Sequence, residues 1–576
     1  MSKLNIDQKS ILELFTDKRA DFLIPDYQRP YAWSEDECAT LWDDLFAFAF
    51  PGDDCDRFDT GDEYFLGPIV TFKNDRGQLE VIDGQQRLTT IMLLLRAFYD
   101  KFENMKDRKS VKMREDIACC VWKTDEFGEP DMDRLKIDSE VASDNDKDEF
   151  LSILRTGVVE DGWKSSYAKN FTFFQKKVAD LTNEWPTYIA LLATRIIRNV
   201  ILLPIEAESQ DTALRIFSTL NDRGLPLSDA DIFKSQFYKY FSDKGEKDRF
   251  TSRWKKLEEG ANAIFHPLRG TPMDELFTRY MYFRRAGKGI RDTTTQSLRD
   301  FFSTNSYEML KSEETLSDLE SLLGFWQDVD AQRGFSDRVL RRLFVLNYAP
   351  NSVWTYLVSV WFLSNRDEHG KLDESELYDF LKLITAFIFA YAIERPGVNA
   401  LRTPVYPEMI NIVQHHAVTF SSHRFHREEI ANRFRAFTFT NGRPITKSML
   451  TWWAYNEPDQ PLLSQDTTLE IEHIYAKKRN EVDPLEKKSN LESLGNKSLL
   501  EKRMNIRASD YRFADKRKYY IGFKDANGKE RTGTAIRDLV ELAKTHDDFT
   551  EADIESRTNR IIDAFMDYLA DNDLLQ

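Results

Sequence analysis

The sequence predicts a multidomain α+β chain, predominantly helical, and three observations carry that prediction. At 576 residues it exceeds what one hydrophobic core organises, so several domains are expected. Strand-forming runs cluster in the first third and again near residue 470, whereas residues 237 to 436 keep a helical period with few strand signals. Apolar residues make up 41% of the chain and charged residues 31%, an ordinary globular balance that excludes wholesale disorder. The expected division is a first domain over 1–236, a helical connecting domain over 237–438 and a last domain over 439–576.

In the first domain, Tyr64–Phe72 and Leu79–Ile82 are β-rich and flank the polar turn Lys73-Asn74-Asp75-Arg76-Gly77, the pattern of a hairpin. After Asp83-Gly84, Leu88, Ile91, Met92 and Leu95 recur at helical spacing, so a helix starts near Gln85. The apolar run Val200–Ile205 precedes a helical pattern at Ala213, Ile216, Phe217 and Leu220. That helix should stop at Asn221-Asp222-Arg223-Gly224, where glycine takes the left-handed cap. Ser228 then caps a helix carrying Ile232, Phe233 and Phe237. In the middle domain Val353–Leu363 and Phe380–Ile393 are too short or too interrupted to span a bilayer and read as core helices. The N-terminus lacks a signal-peptide core, and Cys38, Cys55, Cys119 and Cys120 show neither metal spacing nor a disulfide framework. A reducing, cytoplasmic protein with no membrane partner is expected.

The formal charge of −17 argues against a general nucleic-acid coat. Its distribution is uneven, since Lys477–Lys518 holds thirteen Lys/Arg against seven Asp/Glu. On charge alone this island reads first as a solvated helical face. It surrounds a denser pattern, however. Leu469–Tyr475 reads as a strand that ends in Glu472-His473-Ile474, and Asn496 and Asn505 follow, nine residues apart. A His beside a carboxylate, then Asn, then a ligand-type residue at that step is the layout of a one-metal nuclease. His473 would deprotonate water, Asn496 would orient the imidazole, and a divalent ion, Mg²⁺ above all, would stabilise the phosphorane charge. Glu472 and Asn505 are the expected metal ligands, Asn505 from a helix over Lys497–Met504. Lys497, Lys516, Arg517 and Lys518 are candidates for DNA backbone contacts.

Two further motifs lie near the N-terminus, Ile24-Pro25-Asp26-Tyr27-Gln28-Arg29-Pro30-Tyr31-Ala32-Trp33 and Val81-Ile82-Asp83-Gly84-Gln85-Gln86-Arg87-Leu88-Thr89-Thr90. The second is a strand, a glycine turn and a helix start, whose exposed N–H groups and dipole favour anions. Arg87 in the first helical turn is disfavoured there unless something negative faces it, which suggests a phosphate with Gln85 and Gln86 as hydrogen-bonding neighbours. A plain βα turn whose Arg pairs with a local carboxylate fits the same residues. No Walker-type loop or GxGxxG is present.

Together with Phe65-Leu66-Gly67-Pro68-Ile69-Val70 and the stretch Ala213-Leu214-Arg215-Ile216-Phe217 through Leu227-Ser228 to Lys234, these motifs resemble the N-terminal domain of GmrSD-type, modification-dependent (type IV) restriction enzymes over roughly residues 10–240. The resemblance implies a ParB/sulfiredoxin-like fold, with binding and hydrolysis of a nucleoside triphosphate (GTP, UTP, CTP or ATP) by Gln28, Arg29, Asp83, Gln86 and Arg87, alongside Gly84 and Gln85. Residues 440–575 resemble the HNH (ββα-metal) nuclease domain of the same enzymes, with Leu494-Gly495-Asn496-Lys497-Ser498-Leu499-Leu500 and Phe513, Lys516 and Tyr519 in register. Two departures stand out, since Ala476 occupies a position usually held by Pro, and Asn505 replaces a third His. The implied protein is an NTP-regulated endonuclease of phage defence that cuts double-stranded, modified phage DNA, and a homodimer would bring two single HNH sites to the two strands. A degenerate nuclease domain would leave a nucleotide-dependent DNA sensor instead.

Overall fold

The computed structural model describes residues 5–576 apart from 7, 53–60, 142–145, 211, 214–215, 217–227, 398 and 510. Most of the stretch expected to form a helix ending at Asn221-Asp222-Arg223-Gly224 lies outside the described residues, as does Cys55. By contacts the chain divides into two units, Met1–Lys256 and Leu257–Gln576. The protein is α+β and predominantly helical.

The first unit is built on a mixed sheet. Its strands are β1 (Asn5–Ile6), β2 (Lys9–Ser10), β3 (Phe22–Ile24), β4 (Tyr64–Lys73), β5 (Leu79–Asp83), β8 (Ile137–Ser139) and β9 (Val200–Ala207), while β6 (Trp122–Thr124) and β7 (Pro130–Leu135) form a separate ribbon. The sheet order is β1-β9-β4-β5-β3-β8, with β2 also on β9. β4 and β5 make the predicted antiparallel hairpin, and β9 lies parallel to β4. Alternation sends Ile69 and Val81 into the large core on one face, and Val70 and Ile82 into a smaller cluster with Tyr27 and Ile205 on the other. The helix Gln85–Glu103 starts where the sequence placed it. Leu88, Ile91, Met92 and Leu95 are all buried, and the helices Arg108–Val121 and Ser166–Glu184 pack on it. Ser228 caps the helix Asp229–Asp243 through a reciprocal pair with Asp231.

The second unit is helical up to residue 454. Both apolar runs are core helices, Val353–Asn365 and Glu374–Glu394, as expected from their interrupted hydropathy. Among the described residues no helix is long and apolar enough to cross a membrane. Near its end the unit forms an antiparallel ribbon of β10 (Leu469–His473) and β11 (Lys497–Glu501), with His473 opposite Lys497. A second ribbon pairs β12 (Gly522–Lys524) with β13 (Glu530–Thr532). The expected helix over Lys497–Met504 is corrected here: Lys497–Glu501 is a strand, and the helix runs Lys502–Ala508. Leu499 and Leu500 are both buried, one on each face of the ribbon, and that two-sided burial favours the extended form.

Candidate functional site

In the first unit the two N-terminal motifs form one clasp. Gly84 takes φ +93°, a left-handed entry to the helix Gln85–Glu103 that a side chain would strain. The amide of Gln86 accepts from Ala32 N at 2.7 Å and donates to Pro30 O at 3.1 Å, and Gln85 Nε2 donates to Arg29 O at 3.4 Å. From the other motif Gln28 Nε2 donates to Val81 O and Ile82 O, both at 3.2 Å. The three glutamines therefore lace the Arg29 loop to the β5 turn. Their carboxamides serve the scaffold, which explains a Gln-Gln pair at a helix start without any ligand.

Arg87 and Asp83 stand at the centre of this clasp. Arg87 Nη2 lies 3.3 Å from Asp83 Oδ2, with both side chains largely buried. The negative group that Arg87 needs is thus supplied within the chain, as in the plain reading of the turn. Burial pulls the Arg87 pKa down, and Asp83 opposes that. Burial likewise raises the Asp83 carboxyl, against the pull of Arg87, the Gly84 N–H and Arg29. Gly67 of β4 has φ +136°, and a Cβ there would overlap Nη1 of Arg87, so the guanidinium rests on bare backbone. This gives the Phe65–Val70 motif a physical role that the sequence alone did not disclose. A partly dehydrated Arg, a neighbouring Arg29 and the first-turn N–H groups can hold a phosphate that competes with Asp83.

In the second unit the ribbon β10–β11 carries the nuclease motif. His473 is buried, and its Nε2 lies 3.3 Å from Glu492 Oε1. Glu492 also receives Lys497 Nζ at 2.5 Å and faces Lys477 Nζ at 3.6 Å. Burial, then Lys497, lowers the His473 pKa to about 4, against an opposing pull from Glu492. Burial raises the Glu492 carboxyl, but Lys497, His473 and Lys477 outweigh it and hold the group below its ordinary range. At neutral pH the imidazole is therefore uncharged beside an ionised carboxylate. A carboxylate only accepts, so Nε2 carries the proton and Nδ1 keeps its lone pair.

Asn496 does not touch the imidazole. Fully buried, it accepts from Tyr475 N at 2.7 Å and donates to Tyr475 O at 3.2 Å and Leu491 O at 3.0 Å. Its place is to pin the chain leaving β10 against the chain entering β11, and Glu492 takes the orienting position expected of it. Sequence reasoning missed Glu492, whose only signal was one more acid within a basic run. Gly495 is required by close approach, since a Cβ there would overlap Ile554 O of the helix Glu551–Asp571. From that helix Arg557 Nη1 donates to Leu494 O, Gly495 O and Lys497 O at 3.1, 2.9 and 2.8 Å.

The expected metal ligands have other partners. Glu472 Oε1 accepts Lys516 Nζ at 2.7 Å and Tyr520 Oη at 2.6 Å in the interior, while Asn505 Nδ2 donates to Glu470 Oε2 at 2.7 Å. A cation on Glu472 would sit against a buried ammonium, so the Glu472–Asn505 pair does not fit an ion as arranged. Among the described residues no three His, Cys, Asp or Glu side chains gather as metal ligands. Glu470 and Asn505 are the neighbouring oxygen-bearing pair, but the Asn505 amide nitrogen faces the Glu470 carboxylate, so a Mg²⁺ there would have to displace that hydrogen bond and turn the amide oxygen inward.

The expected DNA contacts are corrected as well. Lys497 and Lys516 are 0% and 1% exposed, bound to Glu492 and Glu472, so neither ammonium reaches a DNA backbone. Their alternation on buried strand and helix faces explains this: each neutralises an interior carboxylate. Arg517 pairs with Asp547 at 2.7 Å and is partly exposed, and Lys518 is exposed beside the rings of Tyr519 and Phe523.

The chain matches two family descriptions. Residues 11–238 match the GmrSD restriction endonuclease N-terminal domain, and residues 426–564 match the GmrSD restriction endonuclease C-terminal domain. A search of curated proteins finds no match. With the clasp in the first of these domains and the His473 ribbon in the second, the chain belongs to the GmrSD restriction endonucleases.

Proposed function

We propose that this restriction endonuclease is regulated by a nucleoside triphosphate and cuts modified, double-stranded phage DNA in the cytoplasm through an HNH-type centre. The observation that carries the cutting step is the His473–Glu492 pair. A buried imidazole with a pKa near 4 is unprotonated at pH 7, and the carboxylate on Nε2 leaves Nδ1 free to take a proton from water. The water oxygen then bonds to phosphorus, the bond to the leaving oxygen breaks with its electron pair on that oxygen, which takes a proton from solvent, and the proton on Nδ1 is afterwards released to solvent. A Mg²⁺ held by Glu470 and a turned Asn505 amide would supply Lewis-acid stabilisation of the phosphate charge. Asn496 and Arg557 keep the ribbon turn in shape, and Lys516 holds the His473 carbonyl at 2.7 Å.

At the other end, Arg87 on Gly67 supports phosphate binding in competition with Asp83. One cutting centre per chain means that severing both strands calls for two copies or two successive nicks. The test is cleavage of unmodified, methylated, glucosylated and phosphorothioated DNA, each with and without NTP and Mg²⁺. His473→Ala should abolish cutting and keep nucleotide hydrolysis, and a variant that cuts at the wild-type rate would sink the reading. The engagement of Glu472 by Lys516 favours one competing reading, a DNA sensor with a silent nuclease; metal-dependent nicking decides against it.

A further inference from the structure

The outer face of the helix Ser166–Glu184 has no part in either site described above, yet it carries a built cavity. It is about 510 Å³ in volume, within the range of small-molecule sites. Trp163 and Phe173 supply aromatic walls, both partly exposed and resting on the main core of the first unit. Lys169, Lys176 and Lys177 stand around them, with Lys177 Nζ 5.6 Å from the Phe173 ring centre. Glu35 and Asp180 complete the charged lining. The rim is cationic by one charge, three lysines against Glu35 and Asp180, in a chain of net charge −17, and Lys177 also faces Asp43 at 3.9 Å, which leaves Lys169 and Lys176 as the pair for phosphate.

We propose that this cavity seats one nucleobase drawn out of a DNA strand, with neighbouring phosphates on Lys169 and Lys176. This rests on the reading that the chain engages DNA, and it deepens that reading by assigning a place for strand recognition. Aromatic walls within a basic rim are the combination that holds unstacked bases, because rings stack on any base while ammonium groups follow the backbone. The lysines are strung along the helix, Lys169 and Lys176 two turns apart, so they face separate phosphates of a polymer and do not converge on one triphosphate.

The same helix reaches the clasp from its buried side. Asn170 Nδ2 donates to Tyr31 Oη at 3.0 Å and Trp33 O at 2.9 Å, and Tyr167 stacks on Tyr31 with ring centres 4.9 Å apart. A base seated outside therefore loads the element that positions the Gln28-Arg29 loop.

The experiment uses the full chain carrying His473→Ala, so that bound DNA survives. Fluorescence anisotropy follows a labelled duplex across a salt series, and a second duplex carries 2-aminopurine at the recognised position. The Lys169→Glu/Lys176→Glu variant is expected to lose about tenfold in affinity and to flatten the salt slope by about two. Trp163→Ala should abolish the 2-aminopurine brightening that accompanies unstacking, and Trp163→Phe should restore it. Unchanged affinity and slope in the charge-reversed chain overturn the proposal while leaving the nuclease reading intact. Protection of the cavity by a free nucleoside triphosphate, with DNA binding unaltered, overturns it too. A parent chain that binds no DNA overturns the underlying reading as well.

Discussion

Glu492→Gln is the sharpest probe of the cutting centre, because one carboxylate there serves three cationic or protonated partners. Its Oε1 faces His473 Nε2 at 3.3 Å and Lys477 Nζ at 3.6 Å, and its Oε2 takes Lys497 Nζ at 2.5 Å. Gln keeps the shape and one acceptor oxygen, but its NH₂ must then point at a donor. Stranding one partner of a buried ion pair costs about 3–5 kcal/mol. Glu492 is 21% exposed, so about 3 kcal/mol is the expected loss, read as a lower urea midpoint at constant slope. The rate effect is separate. Without a fixed acceptor for Nε2–H the imidazole loses its tautomer and aim, and cleavage should fall by about 10²–10⁴, the usual worth of a general base. The pH profile supplies an independent check. The folded His473 pKa of about 4 lies below the ordinary imidazole value of 6.5, so the native state stays neutral as pH falls through 6 and 5. The acid limb of single-turnover cleavage should therefore lie near pH 4. Stability contributed by the neutral imidazole should be complete above 6.5 and decline towards 4, as the unfolded chain takes up the proton first. Glu492 raises the His473 pKa, so its removal moves the limb still lower. Wild-type cleavage by Glu492→Gln in a folded chain, or an acid limb at 6.5 in the parent, would refute the assignment.

Four further perturbations test other parts of the argument. Gly67→Ala should displace the Arg87 guanidinium and strain β4, lowering nucleotide hydrolysis while DNA cleavage without nucleotide is unchanged; intact hydrolysis would separate Arg87 from phosphate. Lys516→Met takes the ammonium away from the buried Glu472 carboxylate, which keeps Tyr520 as a donor, so thermal denaturation should show a loss of about 3 kcal/mol. If instead only DNA affinity drops, Lys516 belongs on the DNA surface after all. Asn496→Ala strips partners from Tyr475 N, Tyr475 O and Leu491 O, about 3–6 kcal/mol by chemical denaturation, and a stability change near zero would remove its pinning role. Asp547→Asn releases a partly exposed Arg517 at negligible cost in stability and should steepen the salt dependence of DNA binding by about one; an unchanged slope denies Arg517 a phosphate contact.

The sequence was most legible where local chemistry and tertiary demand agree. Asp83-Gly84 marks the turn because a left-handed residue is needed there, and the helix after it is readable because Leu88, Ile91, Met92 and Leu95 face one core. Asn496 and Asn505 were visible as residues but not as partners. Whether an amide meets an imidazole or a backbone N–H depends on the approach of Tyr475 and Glu470 from elsewhere in the chain. Lys497–Glu501 was misread as helical for a related reason: two adjacent leucines buried on opposite faces of a ribbon carry no clear period. Gly67 stood in a recognised motif, yet its role appears only when Arg87 folds over it from a different element.

The basic island shows how far a charge count can depart from a binding surface. Lys497 and Lys516 neutralise buried carboxylates, and Arg479, Lys487 and Arg517 are matched by Asp548, Glu555 and Asp547. Those last three acids lie within nine residues of one another in sequence, at and just before the helix Glu551–Asp571 that also secures the Leu494–Lys497 turn. Among the described residues, the exposed cations of the island left over are Lys478 and Lys488 together with a larger set on and around the helix Lys502–Ala508, namely Lys502, Arg503, Arg507, Arg512 and Lys518. Asn505 of that same helix bonds Glu470 of β10, the strand that carries His473. Most of these exposed cations therefore lie on or near the helix bonded to the cutting strand, with Lys478 and Lys488 outside that group. In an acidic protein a local cluster of this kind is where phosphate attraction can act, and it stands beside the strand that carries His473.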